Sequence, residues 1–203
     1  MIVLGLTGGV GMGKSTAAAT LRRLRVPVHD ADATVHALMA RGGAAVEMVS
    51  RAFPGVLRDG AIDRPALGRL VFGDRDALRR LERILHPLVR RDELRFLRAQ
   101  HLRRARLAVL DIPLLFETGG QRRVDAVLTM TVPAAIQRQR VLRRPGMTAA
   151  RFAAILARQV PDARRRRDAD FVVPSGLGRA FTFRHLRRIV RQLTGEESCN
   201  TGY

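Results

Sequence analysis

The sequence predicts an α/β fold in which a parallel sheet lies between helical layers. Three observations carry this. Apolar strand-like runs alternate with helical periodicity, the first run reads as a buried strand, and it ends in a glycine-rich loop that opens a helix. In chain order, Ile2 to Thr7 is a buried strand and Ser15 to Arg25 a helix. Val26-Pro27-Val28 leads into a short strand ending in His29-Asp30-Ala31-Asp32, and Ala33 to Ala40 is helical. From Gly42 to about Arg106 the periodicity is mostly helical. It breaks at Pro54-Gly55, at Asp59-Gly60, at Asp63-Arg64-Pro65, and at His86-Pro87, where proline is expected to interrupt a long arginine-rich helix. Leu107 to Ile112 and Val124 to Val132 are further strands, with a helix from Pro133 to Arg143. Phe171 to Val173 is a last strand before a closing helix that runs to about Leu193, and Glu196 to Tyr203 is a frayed tail.

At 203 residues, 46% hydrophobic and 27% charged, the composition is globular, and no apolar run approaches the ~20 residues that cross a bilayer. The apolar start MIVLGLTGG lacks the basic leader and cleavage site of a signal peptide, and the single cysteine, Cys199, cannot form an intrachain disulfide. A cytoplasmic protein without a membrane partner is expected. The formal charge of +19 attracts polyanions whatever the protein does, but the arginines are spread along helical stretches as solvated faces, and aromatics are only 4%, too few for a base-stacking surface. Lys14 is the only lysine among 37 basic residues. Its place inside the glycine-rich loop marks a site that needs a compact ammonium and not a guanidinium fork.

Gly8-Gly9-Val10-Gly11-Met12-Gly13-Lys14-Ser15-Thr16 fits the phosphate-loop pattern of a glycine, four residues, Gly-Lys-Ser/Thr, in the strand-to-helix context that pattern requires. Backbone amides from Gly9 to Thr16 are expected to surround phosphate oxygens, Lys14 to bridge the terminal phosphates, and the Ser15 hydroxyl to ligate Mg2+. The fold class is therefore the P-loop NTPase type, three-layered with a parallel sheet. With no lysine after position 14, the Asn/Thr-Lys-x-Asp guanine-reading motif cannot occur, so ATP is favoured over GTP.

Asp30 and Asp32 end a strand where a carboxylate would orient an acceptor hydroxyl. Asp32 is the candidate base, and one of the pair is equally suited to cap the following helix. Asp111 closes an apolar strand as an acid reaching Mg2+ does. Leu114, Leu115 and Phe116 suit either core or an apolar lip for the acceptor. Arg140 and Arg144 are expected at i, i+4 on one helix face before a Pro145-Gly146 hinge, as lid arginines or as surface charge. His86 is either a catalytic imidazole or a structural histidine at a helix break.

The ordered set Gly5-Leu-Thr-Gly-Gly-Val-Gly-Met-Gly-Lys-Ser15, Asp30-Ala-Asp32, Leu85-His-Pro87, Asp111-Ile-Pro-Leu-Leu-Phe-Glu117, Gln137-Arg-Gln-Arg140, Arg144, Gln159 and Ala169-Asp-Phe-Val172 resembles the dephospho-coenzyme A kinases over roughly Ile2 to Leu193. The resemblance implies Mg2+-assisted transfer of the ATP γ-phosphate to the ribose 3′-hydroxyl of dephospho-coenzyme A, with no obligatory nucleic acid. It implies a nucleotide-binding core of residues 1–32, 106–143 and 168–195, a helical acceptor-binding insertion at 33–105 and a small lid at 144–167. On that model Asp32 activates the hydroxyl, Arg140 stabilises the transferred charge, Leu114, Leu115 and Phe116 lie near the acceptor, and His86 belongs to the acceptor-side insertion. The chain departs from the family pattern at Val173-Pro-Ser-Gly-Leu-Gly178, where many relatives have Asn-x-Gly near the adenine site, and at Met12, where relatives often have Ser. Three rivals stand beside this reading: a kinase for another small acceptor, a basic nucleic-acid-binding protein that uses ATP as a switch, and a structural or interaction protein in which Lys14 and Asp32 are idle.

Overall fold

The computed structural model describes residues 1–195. These divide into two compact units, Asp30–Ala99 and the remainder, Met1–His29 with the described residues from Gln100 on.

The larger unit is built on a five-stranded sheet. Its strands are β1 (Ile2–Gly8), β2 (Val28–Asp30), β5 (Leu107–Asp111), β6 (Ala126–Thr131) and β7 (Phe171–Pro174), in the order β2-β5-β1-β6-β7. β1 pairs in parallel with both β5 and β6, and β6 with β7. The continuous apolar runs follow from this arrangement, because a central parallel strand is covered on both faces. Leu4, Leu6, Val109, Leu128 and Met130 are fully buried. Helix α1 (Lys14–Arg23) adds Ala17, Ala18 and Leu21 to the same core, and α9 (Arg179–Thr194) adds Leu186 and Ile189. Full burial of a leucine such as Leu21 is worth roughly 2–3 kcal/mol. The remaining elements of this unit are a 3-10 turn (Gly120–Arg123), α6 (Ala134–Leu142), α7 (Ala149–Arg158) and α8 (Asp162–Asp168).

The smaller unit contains α2 (Ala31–Met39), α3 (Val46–Ala52), α4 (Arg64–Val71) and most of α5 (Arg75–Leu102) around a separate core of Met39, Val49, Phe53, Val56, Leu67, Leu81 and Leu85. Two expectations fail here. Asp59-Gly60 is not a break between helices but the turn of a two-stranded hairpin, β3 (Leu57–Arg58) with β4 (Ala61–Ile62). Both turn residues have positive φ, 50° and 76°, the signature of a tight hairpin turn. At His86-Pro87, α5 continues without interruption for 28 residues. Proline removes one helical hydrogen bond at a cost of about 3 kcal/mol, and Leu81 and Leu85, held in the core just before it, keep the helix in register. The tail from Glu196 and Cys199 lie outside the described residues.

Candidate active site

Parallel pairing brings the carboxyl ends of the strands to one edge of the sheet, where open α/β sheets bind ligands. Gly8 ends β1 and leads into the loop. Asp111 ends β5 in register with Leu6, Thr131 ends β6, and Ser175 follows β7. The loop then enters α1 through Gly13, whose left-handed φ of 89° no other residue adopts cheaply, and no side chain caps the helix. The first amides of α1 are thus left to an anion. Ser15 and Thr16 are exposed in this first turn.

Lys14 Nζ lies 2.7 Å from Asp111 Oδ1, and Asp111 is only 2% exposed. The lone lysine is therefore aimed across the mouth of β1 by the acid at the end of β5. Gln137 Nε2 donates to the Val10 carbonyl at 2.8 Å, and the Val10 amide donates to Gln159 Oε1 at 3.3 Å. Val10 is thus held at both its amide and its carbonyl by side chains from α6 and the segment after α7. Ser175 Oγ donates to the Met12 carbonyl at 2.8 Å, and Arg140 donates to both Ser175 Oγ (2.9 Å) and Ser175 O (3.0 Å). Arg140 is so fixed to the loop through Ser175. The Met12 side chain is buried in the main core, which explains why this position accepts a thioether.

Glycines at 11 and 13 are needed by their surroundings. A Cβ on Gly11 would stand 2.5 Å from Val141 Cγ2, and one on Gly13 3.0 Å from Ser175 Oγ. The loop is thus gripped by α6, by the segment joining α7 to α8, and by the turn after β7.

A family model for dephospho-CoA kinase matches residues 2–177. The chain belongs to the dephospho-CoA kinase family. Among its relatives is the dephospho-CoA kinase of Paramagnetospirillum magneticum, 64% identical over 82% of this chain and 78% of that protein. That of Rhodospirillum rubrum is 60% identical over 92% of this chain and 89% of the relative. A solved Thermus thermophilus structure superposes with a TM-score of 0.79 at 37% identity, covering 94% of this chain and 96% of that one. A shikimate kinase from Acinetobacter baumannii, at TM-score 0.52 and 15% identity over 98% of this chain and 96% of its own, shares the fold alone.

The other sequence-predicted residues of this kinase-family chain fall as follows. Leu115 is fully buried, against Gly5 and Gly120, whereas Leu114 is 42% exposed and Phe116 half-buried, so the apolar triplet is divided between core and surface. Arg144 does not share a helix face with Arg140. α6 ends at Leu142, and Arg144 lies beyond its cap, exposed, because the chain turns towards Pro145-Gly146. In the smaller unit, Asp30 accepts from the Ala33 amide at 3.0 Å and so caps α2. Asp32 is left exposed in the first turn of that helix with no hydrogen bond of its own. On the same helix His36 Nδ1 is 2.9 Å from Arg64 Nη1. His86 is exposed midway along α5.

Sequence reasoning gave no role to Gln137, Gln159, Glu117, Asp162, Arg165 or Ser175. Glu117 Oε1 accepts from the Val160 amide at 2.7 Å, and Asp162 Oδ2 accepts from the Thr131 hydroxyl at 2.8 Å, so the α7–α8 segment is tied to the sheet edge at two points. The segments carrying Gln137, Glu117 and Gln159 were legible as family-like, but their contacts span 43 to 149 residues and leave no local pattern.

Proposed function

We propose that this chain transfers the γ-phosphate of ATP to the ribose 3′-hydroxyl of dephospho-CoA, giving CoA and ADP, the last step of coenzyme A biosynthesis. The observation that carries the reading is Lys14: the only side-chain amine in a chain of +19 charge stands in a phosphate loop, aimed by a buried carboxylate, in a member of this kinase family. Transfer is direct and in line, so the protein's work is positioning and charge stabilisation. Glycine-loop amides and Lys14 hold the triphosphate. Asp32 orients the acceptor hydroxyl and takes its proton, a role left open to it because Asp30 does the capping. Arg140, held by Ser175, faces the charge that develops on the transferred group.

The Ser15 hydroxyl and the Asp111 carboxylate are hard oxygen donors of the kind Mg2+ takes, one or two from protein and the rest from phosphate and water. Among the described residues no cluster of three or more His, Cys, Asp or Glu forms a cage for a more demanding metal. Bound there, Mg2+ would neutralise phosphate charge. Residues 33–105 receive the acceptor, with His86 and the exposed Leu114 and Phe116 as contacts, and residues 144–167, with Arg144, form the lid. The enzyme works in the cytoplasm; among the described residues no helix is long and apolar enough to cross a membrane.

The test is ADP release from ATP and Mg2+ with dephospho-CoA, adenosine, AMP and shikimate offered separately. Turnover confined to dephospho-CoA, with CoA as product, is expected, and turnover with another acceptor instead would overturn the assignment. Asp32→Asn is expected to lower kcat about 10²–10⁴-fold with ATP affinity nearly intact. An equal loss of ATP binding would remove Asp32 from the acceptor side.

A further inference from the structure

Arg164 to Arg167 are four consecutive arginines. On α8 three of them are exposed, but Arg165 is 3% exposed. Its guanidinium lies against the phosphate loop: Nη2 is 3.7 Å from Met12 Sδ and stands 2.7 Å from where a Cβ on Gly9 would be. Gly9 and Met12 are themselves joined by a hydrogen bond from the Met12 amide to the Gly9 carbonyl at 3.1 Å, so Arg165 touches both ends of one turn of the loop.

This cation has few hydrogen-bond partners. A thioether is a weak acceptor, and Arg165 Nε is buried with no hydrogen-bond partner. Its counter-ion is Asp162, whose Oδ1 forms an ion pair with Nη2 at 3.6 Å, too long for a hydrogen bond, while Oδ2 of the same group is engaged by Thr131. Arginine cannot escape by losing its proton, so the charge stays. A buried, under-paired charge is costly to the folded protein and is relieved by a nearby anion.

We propose that Arg165 is a positioning residue of the phosphate loop, which holds the Gly9–Met12 turn and whose charge, met in part by Asp162, is met further when the loop carries the polyphosphate of ATP. The proposal rests on the loop being the ATP site, as argued above. It makes Arg165 a second cation of the loop beside Lys14, acting through the loop backbone and not on the reacting atoms. It also couples α8 to nucleotide binding, because α8 is tied to the sheet edge through Asp162 and to the loop through Arg165.

The experiment compares wild type, Arg165→Met, Arg165→Lys and the exposed control Arg166→Ala. Each is measured for melting temperature with and without ATP, for Kd of ATP, and for KM and kcat. Arg165→Met is expected to melt at the wild-type temperature or above it without nucleotide, since a buried charge with a long ion pair and an unbonded Nε has gone. Its Kd and KM for ATP are expected to rise about tenfold, or ~1.4 kcal/mol, with kcat changing less than threefold. Arg165→Lys is expected to recover most of the affinity, and Arg166→Ala to behave as wild type. A lower melting temperature in Arg165→Met with unchanged ATP affinity would make Arg165 mere scaffold and overturn the proposal. If the Met variant does not fold, Arg165→Gln is subject to the same two criteria. A wild type that binds no ATP overturns both this inference and the proposed function. One that binds ATP without phosphorylating dephospho-CoA overturns the function alone, and one that binds ATP as tightly as Arg165→Met does overturns this inference alone.

Discussion

The phosphate loop and the stretch from Arg140 to Asp168 furnish the same sheet edge by opposite means. In the loop, function lies in consecutive residues: glycines that permit a left-handed turn, one amine, and a helix start without a side-chain cap. In the later stretch single side chains matter, Arg140, Gln159 and Arg165, each separated by residues that face solvent and each defined by what it meets far along the chain. A backbone-made site is therefore written locally, while the groups that hold it in shape are written at a distance.

Substitutions can break or sharpen this contrast. The largest effect is expected at Lys14, whose replacement by Ala should lower kcat/KM about 10²–10³-fold and weaken ATP binding as well. Steady-state kinetics with ATP titration check this, and intact ATP affinity would separate the amine from the cradle. Next is Gly11→Ala, which sets a methyl 2.5 Å from Val141 Cγ2 at φ 76°. A loss of about 1–3 kcal/mol in urea unfolding is expected, together with weaker ATP binding. Gln137→Ala leaves the half-buried Val10 carbonyl without its 2.8 Å partner and should cost about 1 kcal/mol, with KM for ATP raised and kcat little altered. If it matched wild type in both, the grip on the loop from α6 would be redundant.

The smallest effect is expected where an arginine run is only surface. The Arg167 hydrogen bond, with help from Arg164, holds the exposed Asp168 carboxyl below its ordinary value of 3.8. A depressed carboxylate favours the fold above the unfolded value and ceases to do so as pH falls through the folded one. Asp168→Asn should therefore lower the melting temperature at pH 7 only slightly, as suits an exposed pair, and that small difference from wild type should vanish as the pH is brought below about 4.

The same contrast explains what the sequence made legible. Strand β1, the loop, α1, the sheet class and the acid at the end of β5 all follow from contiguous hydrophobicity and turn chemistry, and each stands within a residue or two of its expected place. The choice between Asp30 and Asp32 as cap was undecided on paper because both spacings suit a helix start; the Ala33 amide decides it. Pro87 misled because an intrinsic penalty of a few kcal/mol is outweighed by core packing that no local rule contains. The i, i+4 spacing of Arg140 and Arg144 suggests a shared helix face, but α6 ends two residues before Arg144, an end that no local signal marks. Arg165 was indistinguishable from its three neighbours, since nothing in four consecutive arginines says which will be buried.

The pairing of Lys14 with Asp111 also has a use at the bench. With no other lysine in the chain, an acylating reagent finds one side-chain amine and the terminal one. The Lys14 side chain is still 16% accessible. Its labelling rate, followed by mass spectrometry, therefore reports loop occupancy on the unmodified enzyme, without an engineered probe.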